Sequence, residues 1–228
     1  MTADKAELAE QFATFASQFH AQPTVERTID VVAASARVAL GCDDAGILLR
    51  VNGKLTTASA TSSRVEISDA VQIESGEGPC FAAAATPQIY LVEDTTASTP
   101  WPDWARVVSD LGIRSAVGVP LRTHDRNYGA LNLYSDAPGT FGDDEVAIAL
   151  IFARHASVAL DHATKAHTLS QAIDARKVIG QAQGIVMERY GLDSDTAFDT
   201  LMRFSQDHNM KLRQLADHIV AGREFPPR

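Results

Sequence analysis

The chain has 228 residues and is 45% apolar, which is enough for one or two domains with hydrophobic cores. Its formal net charge of −9 is not typical of a protein whose whole surface attracts nucleic acid, and its two cysteines fit a reducing cytoplasm rather than a disulfide framework. No apolar run approaches the roughly 20 residues that span a membrane, and no apolar secretory segment follows Met1, so we expect a cytoplasmic protein without membrane contact.

The first predicted elements are two amphipathic helices. In residues 4–19 the apolar side chains recur at helical spacing, at Leu8, Phe12, Phe15 and Phe19. This helix is expected to pack on a sheet or on a partner subunit. A second helix is predicted to open at Pro23 and to end near Gly41. Its inward positions are Val25, Ile29, Val32 and Ala36.

The middle of the chain alternates predicted strands and helices. Ala45–Val51 and Leu55–Thr61 are predicted to form a β-hairpin, because Asn52-Gly53 between them is typical of a two-residue turn. Further helices are predicted over residues 66–74, 81–85 and 103–111, and further strands over residues 89–92, 115–121 and 128–134. A long helix follows, for which Asp143 is the predicted N-cap.

This antiparallel α+β pattern resembles a GAF domain over about residues 23–162. The residues that carry the resemblance are Gly76-Glu77-Gly78-Pro79-Cys80, Tyr90-Leu91-Val92-Glu93-Asp94, Gly112-Ile113-Arg114-Ser115, Val119-Pro120-Leu121 and Gly129-Ala130-Leu131-Asn132-Leu133. GAF domains bind small ligands or act as dimerisation modules. The resemblance therefore implies an antiparallel sheet flanked by helices, with a small-molecule effector or a regulatory protein acting on this domain.

A helical stalk is predicted between Glu145 and Tyr190. The segment has no proline, and its only glycines are Gly180 and Gly184, so we expect one long helix with, at most, a break near Lys165–Ser170. Small and apolar residues recur at heptad-compatible spacing, which allows two helices to approach closely. We therefore predict a parallel homodimer whose seam contains Phe152, Ala156, Ala159, Ala163, Ala166 and Ile173.

The tail predicts a small domain of three helices. The first continues the stalk and ends at Gly191, with an apolar stripe at Ala172, Ala175, Ile179, Ala182 and Val186. Asp193 or Ser194 is predicted to cap the second, whose buried face is Ala197, Phe198, Leu201 and Phe204. Asn209 is predicted to cap the third, which Gly222 ends. Its inward residues are Leu212, Leu215, Ala216 and Ile219.

The tail also resembles an ANTAR domain, an RNA-binding antitermination module. The matching residues are Ala172, Arg176, Ile179-Gly180-Gln181-Ala182, Gly184-Ile185, Met187-Glu188-Arg189, Gly191-Leu192, Ala197-Phe198, Leu201, Ser205-Gln206, Lys211-Leu212-Arg213, Ala216 and Ile219. The resemblance implies a GAF-like domain over residues 1–162, an ANTAR domain over residues 163–228, tandem RNA hairpins as the partner, and no catalysed reaction. The chain departs from the family at Gln183, where a lysine is common, and so lacks one phosphate-binding charge there.

The candidate RNA-binding residues combine positive charge, amides and one aromatic ring. They are Arg176, Lys177, Gln181, Gln183, Arg189, Tyr190, Asn209, Lys211 and Arg213. Arginine and lysine bind phosphate, and a tyrosine ring can stack on an unpaired base. Residues 165–228 hold nine basic and eight acidic side chains, so composition permits RNA binding without showing it, and a solvated helix face is the alternative interpretation.

Other constellations predict neither a cofactor nor a metal. Cys80 follows a Gly-Pro pair, where a buried small residue is favoured over a redox or cofactor-attachment thiol. His155 and His162 are seven residues apart, with His167 beyond, which is not the spacing that clusters metal ligands on a helix. Phe141 with Asp144-Glu145 only faintly resembles the end of a cyclic-nucleotide signature. Four further residues either line a pocket in the sheet or fill the core: Tyr90, Asp94, Trp101 and Trp104.

Two other functions compete with RNA-based antitermination. A three-helix tail also occurs in DNA-binding transcription factors, although the neutral tail and the long first helix disfavour this. A redox or ligand-metabolising enzyme on a GAF-like core would need a cluster of reactive cysteines, and Cys42 and Cys80 do not have such a spacing.

Overall fold

The computed structural model describes residue 10, residues 13–97 and residues 99–222. The chain divides into two compact units, Met1–Thr164 and Lys165–Arg228. The helix predicted over residues 4–19 is seen as α1 at residues 13–20, and the predicted positions Leu8 and Phe12 lie outside the described residues.

The remaining elements follow the predicted order. The helices of the first unit are α2 (Val25–Leu40), α3 (Ser63–Ser75), α4 (Pro79–Ala85) and α5 (Pro102–Asp110). The strands are β1 (Asp44–Val51), β2 (Lys54–Ala60), β3 (Tyr90–Val92), β4 (Ser115–Arg122) and β5 (Asn127–Ser135). The long helix α6 (Asp143–Tyr190) contributes residues to both units, and α7 (Ser194–Asp207) and α8 (Leu212–Val220) complete the second.

The five strands form one antiparallel sheet in the order β2-β1-β5-β4-β3. This confirms the α+β class expected from the sequence. The predicted hairpin joins β1 to β2 through Asn52 and Gly53, whose φ angles of 51° and 82° are those of a two-residue turn with left-handed backbone. Helix α2 begins where the Thr24 side chain accepts a hydrogen bond from the Arg27 N–H, and ends at Gly41 with a φ of 59°.

Each face of the sheet carries its own core. On one face, α1, α2 and the first part of α6 pack on alternate sheet residues such as Ile47, Leu131 and Leu133. On the other face, α3, α4 and α5 cover Leu48, Ala116 and Tyr134. Because successive strand residues point to opposite faces, a strand that is buried on both sides is apolar along most of its length.

One glycine allows α4 to lie directly against the sheet. A Cβ on Gly118 of β4 would come within 2.7 Å of the Pro79 carbonyl oxygen, closer than such atoms approach. The start of α4 is held from α3, because Oε1 of the buried Gln72 accepts hydrogen bonds from the backbone N–H groups of Cys80 and Phe81 at 2.9 and 3.3 Å. These are two of the donors that the first turn of a helix leaves unpaired.

The alternation of faces along β5 is broken at Tyr128. Period-two alternation would place Tyr128 on the face of Ala130, but the pairing with β4 slips here and leaves Tyr128 as an extra residue. Gly129, next to it, has a φ of 138°, and a Cβ there would collide with the Leu48 carbonyl oxygen on β1. Tyr128 therefore turns to the α6 face, where its hydroxyl donates to Asp161 at 2.6 Å.

Helix α6 begins one residue earlier than the predicted N-cap at Asp143 implies. The Val146 N–H donates to the Gly142 carbonyl oxygen, and the Glu145 side chain accepts from the Gly142 N–H at 3.0 Å. Gly142 is therefore the N-cap and Asp143 the first helical residue, because the glutamate supplies the returning bond of a capping box. The helix continues through Lys165–Ser170 without the break that the sequence left open.

Within the described part of the chain, α6 is the one helix long and apolar enough to cross a membrane by length and composition. Its most apolar 18-residue window has a mean hydropathy of 1.3 and is 44% buried within the protein. The apolar residues of its first part, including Phe152, Ala156 and Leu160, pack against the sheet and against α1. This packing accounts for the composition of the helix without a membrane.

Some residues of the predicted dimer seam are buried in the structure and others are exposed. Its first residues, Phe152, Ala156 and Ala159, are at most 3% exposed and belong to the core that the chain forms with its own sheet. Ala163 is also buried, whereas Ala166 and Ile173 are exposed. The stripe of small residues from Phe152 to Ala163 is therefore not a free face, because the close approach it permits is made within one chain.

The second unit has a core formed by α7, α8 and the last part of α6. Its buried residues are Ala182, Val186, Ala197, Leu201, Leu215, Ala216 and Ile219. Three predicted details differ from this structure. Ala172 is exposed and Phe198 is 38% exposed, so neither lies in the core. Asn209 has a φ of 48° and lies in the turn after α7, whereas Lys211 is the N-cap of α8.

Candidate functional site

A cluster of buried polar side chains lies between α3 and the sheet. The Asp69 carboxyl group is fully buried and accepts hydrogen bonds from Asn132 Nδ2 at 2.8 Å, from the Thr57 hydroxyl at 3.1 Å and from the Tyr134 hydroxyl at 3.4 Å. The Ser68 hydroxyl donates to Tyr134 and accepts from the indole N–H of Trp104 at 3.0 Å. The cluster thus joins four elements through side chains on the face where α3 and α5 pack.

Burial dominates the acid–base properties of this cluster. It raises the pKa of Asp69 from 3.8 to about 7, although the three donated hydrogen bonds act in the opposite direction. Burial likewise raises the pKa of Cys80 to about 12 and that of Tyr134 well above 10. Asn132 Oδ1 is buried and has no hydrogen-bond partner among the described residues. Below about pH 7 the Asp69 carboxyl group is therefore mostly protonated, which avoids placing a charge in this core.

The sequence left open whether four residues line a pocket or fill the core, and the structure places them in different surroundings: Tyr90, Asp94, Trp101 and Trp104. Trp104 fills the core under α3 at 2% exposure. Tyr90 and Trp101 contact each other edge to face, with ring centroids 5.7 Å apart. The Asp94 carboxylate accepts hydrogen bonds from the Thr96 N–H and hydroxyl, which lower the pKa of this carboxyl group. A cleft of about 310 Å³ adjoins Asp94, but Trp104 does not line it.

The two cysteines are buried apolar residues in the first unit. The Cys80 sulfur lies 3.5 Å from the Tyr134 hydroxyl, and Cys42 Sγ lies 3.5 Å from the Asp44 carbonyl oxygen. Burial raises the pKa of the Cys42 thiol to about 12, so that, like Cys80, it is protonated at neutral pH. In the described part of the chain, no three His, Cys, Asp or Glu side chains are grouped so that they could hold a metal ion.

The second unit exposes most of the candidate RNA-binding residues. On α6, the exposed members are Arg176, Lys177, Gln181, Arg189 and Tyr190. Arg176 and Tyr190 are 14 residues apart and share one side of the helix, separated by roughly 20 Å at 1.5 Å per residue. Tyr190 is 53% exposed and ends the helix, followed by Gly191 with a φ of 64°.

Gln183 lies on the same side of α6 but is engaged within the unit. Its Nε2 donates to the Ser194 carbonyl oxygen at 2.8 Å and contacts the Ser194 hydroxyl at 3.0 Å. The side chain therefore ties α6 to the first turn of α7, which Asp193 caps by accepting from the Thr196 N–H at 2.8 Å. Where a lysine would offer a charge to phosphate, this chain has a contact between helices.

The predicted residues around α8 also have local roles. Asn209 occupies the left-handed turn position, and Lys211 begins α8 without a side-chain hydrogen bond to the helix. The Arg213 guanidinium is 4.0 Å from the Asp217 carboxylate, one helical turn later. All three polar side chains are exposed, so the structure leaves them accessible to a partner.

A groove next to Tyr190 was not predicted from the sequence. It has a volume of about 540 Å³ and lies between the end of α6 and the outer side of α7. Its lining residues are Tyr190, Leu192, Thr200, Arg203, Phe204 and Asp207. The four residues on α7 follow helical spacing, so the pattern was present in the sequence. Only the fold, however, shows that this side of α7 adjoins Tyr190.

These features define a two-part protein: an antiparallel α+β unit, followed by a small helical unit with an exposed basic and aromatic surface. Comparison with protein-family models finds a GAF domain at residues 24–160 and an ANTAR domain at residues 167–220. The GAF match covers more than half of the chain, so the chain belongs to the GAF-domain family and carries an ANTAR domain after it. Both domains are regulatory rather than catalytic in type. No curated protein matches the chain.

Solved structures resemble the first unit. A domain of a putative two-component sensor histidine kinase from Sinorhizobium meliloti 1021 is 23% identical, with a TM-score of 0.55 over 66% of this chain and 99% of that one. The GAF domain of a phosphoenolpyruvate-protein phosphotransferase from Coxiella burnetii is 16% identical, with a TM-score of 0.52 over 71% and 96%. Its counterpart from Acinetobacter is 12% identical, with a TM-score of 0.52 over 69% and 94%. At these identities the likeness shows the fold.

Proposed function

We propose that this protein is a signal-responsive transcription antitermination regulator that binds paired RNA hairpins through its second unit. The observation that carries the proposal is the ANTAR domain, in which Arg176, Lys177, Arg189 and Tyr190 are exposed on one helix. Arginine grips phosphate through two hydrogen bonds, lysine acts as a point charge, and tyrosine stacks on unpaired bases. Binding would hold the RNA in a form that excludes the terminator, and requires no catalysed reaction.

Recognition of two hairpins requires two tails, so we include a homodimer in the proposal. We propose that the two subunits contact each other through an exposed apolar side of α6, not through the buried stripe from Phe152 to Ala163. In the first unit this side carries Ile151 at 41% and Val158 at 52% exposure, seven residues apart and therefore on one face of the helix. Two tethered tails would convert two weak RNA contacts into one tight contact through effective concentration.

The first unit would supply the signal. A ligand or a regulatory protein that binds one arrangement of the GAF domain better than another shifts the equilibrium between the two arrangements. The buried cluster around Asp69 already occupies the sheet face under α3 with the chain's own side chains. A small effector bound there would have to displace them. The cytoplasm, where RNA is transcribed in a cell without a nucleus, is the location that fits this function.

The test measures binding of the full-length protein to an RNA with two hairpins, by fluorescence anisotropy from about 50 to 200 mM salt. Wild type should prefer this RNA to duplex DNA of equal length. The double variant Arg176→Ala/Lys177→Ala should bind more weakly, and the slope of log affinity against log salt should fall by about 0.7–0.9 for each phosphate that the variant no longer neutralises. Circular dichroism should remain unchanged, because both side chains are exposed.

A matched control is the double variant Lys54→Ala/Arg106→Ala, which removes the same charge from exposed positions in the first unit. Its affinity and salt slope should equal those of wild type. The proposal fails if wild type prefers duplex DNA, which would favour a DNA-binding transcription factor. The assignment of Arg176 and Lys177 fails if their double variant and the control bind the RNA alike at every salt concentration.

A further inference from the structure

Helix α3 is attached to the sheet mainly by polar side chains. Its fully buried residues are Val65, Ser68, Asp69 and Gln72, of which only the first is apolar. Asp69 accepts hydrogen bonds from side chains of two strands, and the Ser68 hydroxyl donates to the Tyr134 hydroxyl at 3.1 Å. A surface helix normally packs through an apolar stripe. The attachment of α3 depends instead on a hydrogen-bond network with a carboxyl group at its centre.

The ionised and the neutral form of the Asp69 carboxyl group need different hydrogen bonds. A carboxylate only accepts, and the Asn132 amide and the hydroxyls of Thr57 and Tyr134 all donate to it. A protonated carboxyl group must also donate one hydrogen bond. Asn132 Oδ1 is buried and has no partner in the described part of the chain, and rotation of its amide by 180° brings this oxygen to the carboxyl group. The network therefore changes with the protonation of Asp69.

Among the described residues, no basic side chain offsets the charge of an ionised Asp69. Arg64 is the single basic residue of α3, and it pairs with aspartates outside the cluster. The titratable groups that face Asp69 are Cys80 of α4 and Tyr134 of β5, and burial keeps both neutral by raising the pKa of each. The Thr57 hydroxyl of β2 does not titrate, and the other acidic residues of α3 are exposed. Burial raises the pKa of Asp69 to about 7, and only water can stabilise its charge.

We propose that α3 is a proton-controlled lid on the sheet, which is closed while the Asp69 carboxyl group is protonated and opens locally when it ionises. Opening lets water reach the carboxylate, which the closed lid prevents. The pH of the cytoplasm is then a signal that the first unit receives, and this use of the lid rests on the regulatory function proposed above. Strand β5 connects the lid to α6, since Asn132 lies under the lid and Tyr128 lies on the opposite side, where it donates to Asp161.

Proton linkage determines the sign and the size of the effect. Between about pH 4 and pH 7 the closed lid keeps the Asp69 proton and the open lid releases it, so each pH unit raises the equilibrium constant for opening about 10-fold. Above about pH 7 the carboxyl group is ionised in both forms, and the constant no longer changes. Closure is therefore most stable at acidic pH and weakens as the pH rises to about 7.

The experiment measures amide hydrogen exchange of the full-length protein by mass spectrometry from pH 5 to pH 8, with each rate divided by the intrinsic rate at that pH. The corrected rate of α3 should rise about 10-fold per pH unit up to about pH 7 and then level off. It should exceed the rate of the buried strand β4 at every pH, because the opening is local. In Asp69→Asn the corrected rate of α3 should stay constant. Glu66→Gln, which removes an exposed carboxylate from the same helix, should behave like wild type.

Each part of the proposal has its own refuting result. If the corrected rate of α3 in wild type is constant from pH 5 to pH 7, or equals that of β4 at every pH, there is no proton-controlled lid. The signalling role is tested with the two-hairpin RNA, whose affinity for wild type should change more between pH 6 and pH 8 than its affinity for Asp69→Asn. Equal changes, with α3 opening as expected, would show that the lid does not regulate RNA binding. If wild type binds no RNA, the proposed function fails, whereas the exchange experiment still decides whether the lid exists.

Discussion

Replacing Asp69 by asparagine should remove a large part of the pH dependence of the first unit's stability. Asp69 is fully buried, and burial raises the pKa of its carboxyl group from 3.8 to about 7. Asparagine has nearly the same shape and cannot ionise. The Asn132 amide can rotate so that its oxygen, which has no partner in the described part of the chain, accepts from the new amide at position 69. The variant should therefore fold.

The sign of the effect follows from the raised pKa. Below about pH 4 the Asp69 carboxyl group is protonated in the folded and the unfolded chain, and its contribution to stability is fully present. As the pH rises, the unfolded chain releases this proton while the folded chain keeps it, so the free energy of unfolding falls until about pH 7. Raising the pKa of Asp69 from 3.8 to about 7 corresponds to a loss of about 4 kcal/mol in the free energy of unfolding across this pH range. Cys80 and Tyr134, which face Asp69, stay neutral throughout this range because burial raises the pKa of each.

The assay is urea unfolding of wild type and Asp69→Asn from pH 4 to pH 8, followed by tryptophan fluorescence. Both tryptophans, Trp101 and Trp104, lie in the first unit, so the signal reports on that unit. The exposed carboxylate of Asp103 on α5 provides a control, and Asp103→Asn should keep the wild-type pH dependence. If wild type and Asp69→Asn lose stability in parallel as the pH rises, burial of a neutral Asp69 carboxyl group is refuted.

Two further predictions concern the buried thiols and α6. Burial raises the pKa of Cys42 and Cys80 to about 12, so neither thiol should react with a thiol reagent at pH 8 faster than the protein unfolds, and Cys80→Ala should bind RNA equally under reducing and oxidising conditions. Rapid labelling of the native protein would contradict this. Ala159→Glu should lower the thermal midpoint strongly, because Ala159 is only 3% exposed and burial of the glutamate charge there costs several kcal/mol. Val158→Glu, at 52% exposure, should keep the midpoint and weaken dimerisation in sedimentation, and equal midpoints for the two variants would show that their burial is misjudged.

The local elements of the fold were predictable because their signals are local. Asn52-Gly53 specifies its turn through backbone conformations that few residues adopt, and Gly41 ends α2 where predicted. The start was predicted at Pro23, whereas α2 begins at Val25 with Thr24 as its N-cap. Asn209 was misjudged because asparagine serves equally well at a helix N-cap and in a left-handed turn. The residues nearby do not decide between these two uses.

The sequence predicted a close-packed dimer seam along α6; Phe152, Ala156 and Ala159 of that seam pack in the chain's own core, and the homodimer itself stays a prediction. A stripe of alanines shows that another backbone comes close, and the same stripe suits a second helix or the chain's own sheet. In the structure the rings of Phe15 and Phe19, far away in sequence, contact Phe152, so this part of α6 packs within its own chain. Such pairings depend on the complete topology.

The buried polar cluster and the groove were missed for the same reason. Asp69 and Asn132 are 63 residues apart, and neither has a neighbour in sequence that identifies it as buried. Polar residues are mostly exposed, so an isolated aspartate is expected on the surface. The exposed basic residues of α6, in contrast, were found because a charged residue on an apolar-striped helix must lie off the stripe.

The extra residue in β5 places the Tyr128 side chain on the side of the sheet that holds α6. With strict alternation, Tyr128 would join the side of Ala130, and its hydroxyl would lie a whole sheet thickness away from Asp161. Deletion of one residue at this point would leave a well-paired strand and remove the Tyr128–Asp161 hydrogen bond, while the apolar contacts of Phe152 and Leu160 with the sheet would stay. This polar contact of α6 thus depends on a count of residues as much as on their chemistry. A comparison of related sequences should therefore inspect insertions and deletions next to Gly129 before substitutions anywhere else in the strand.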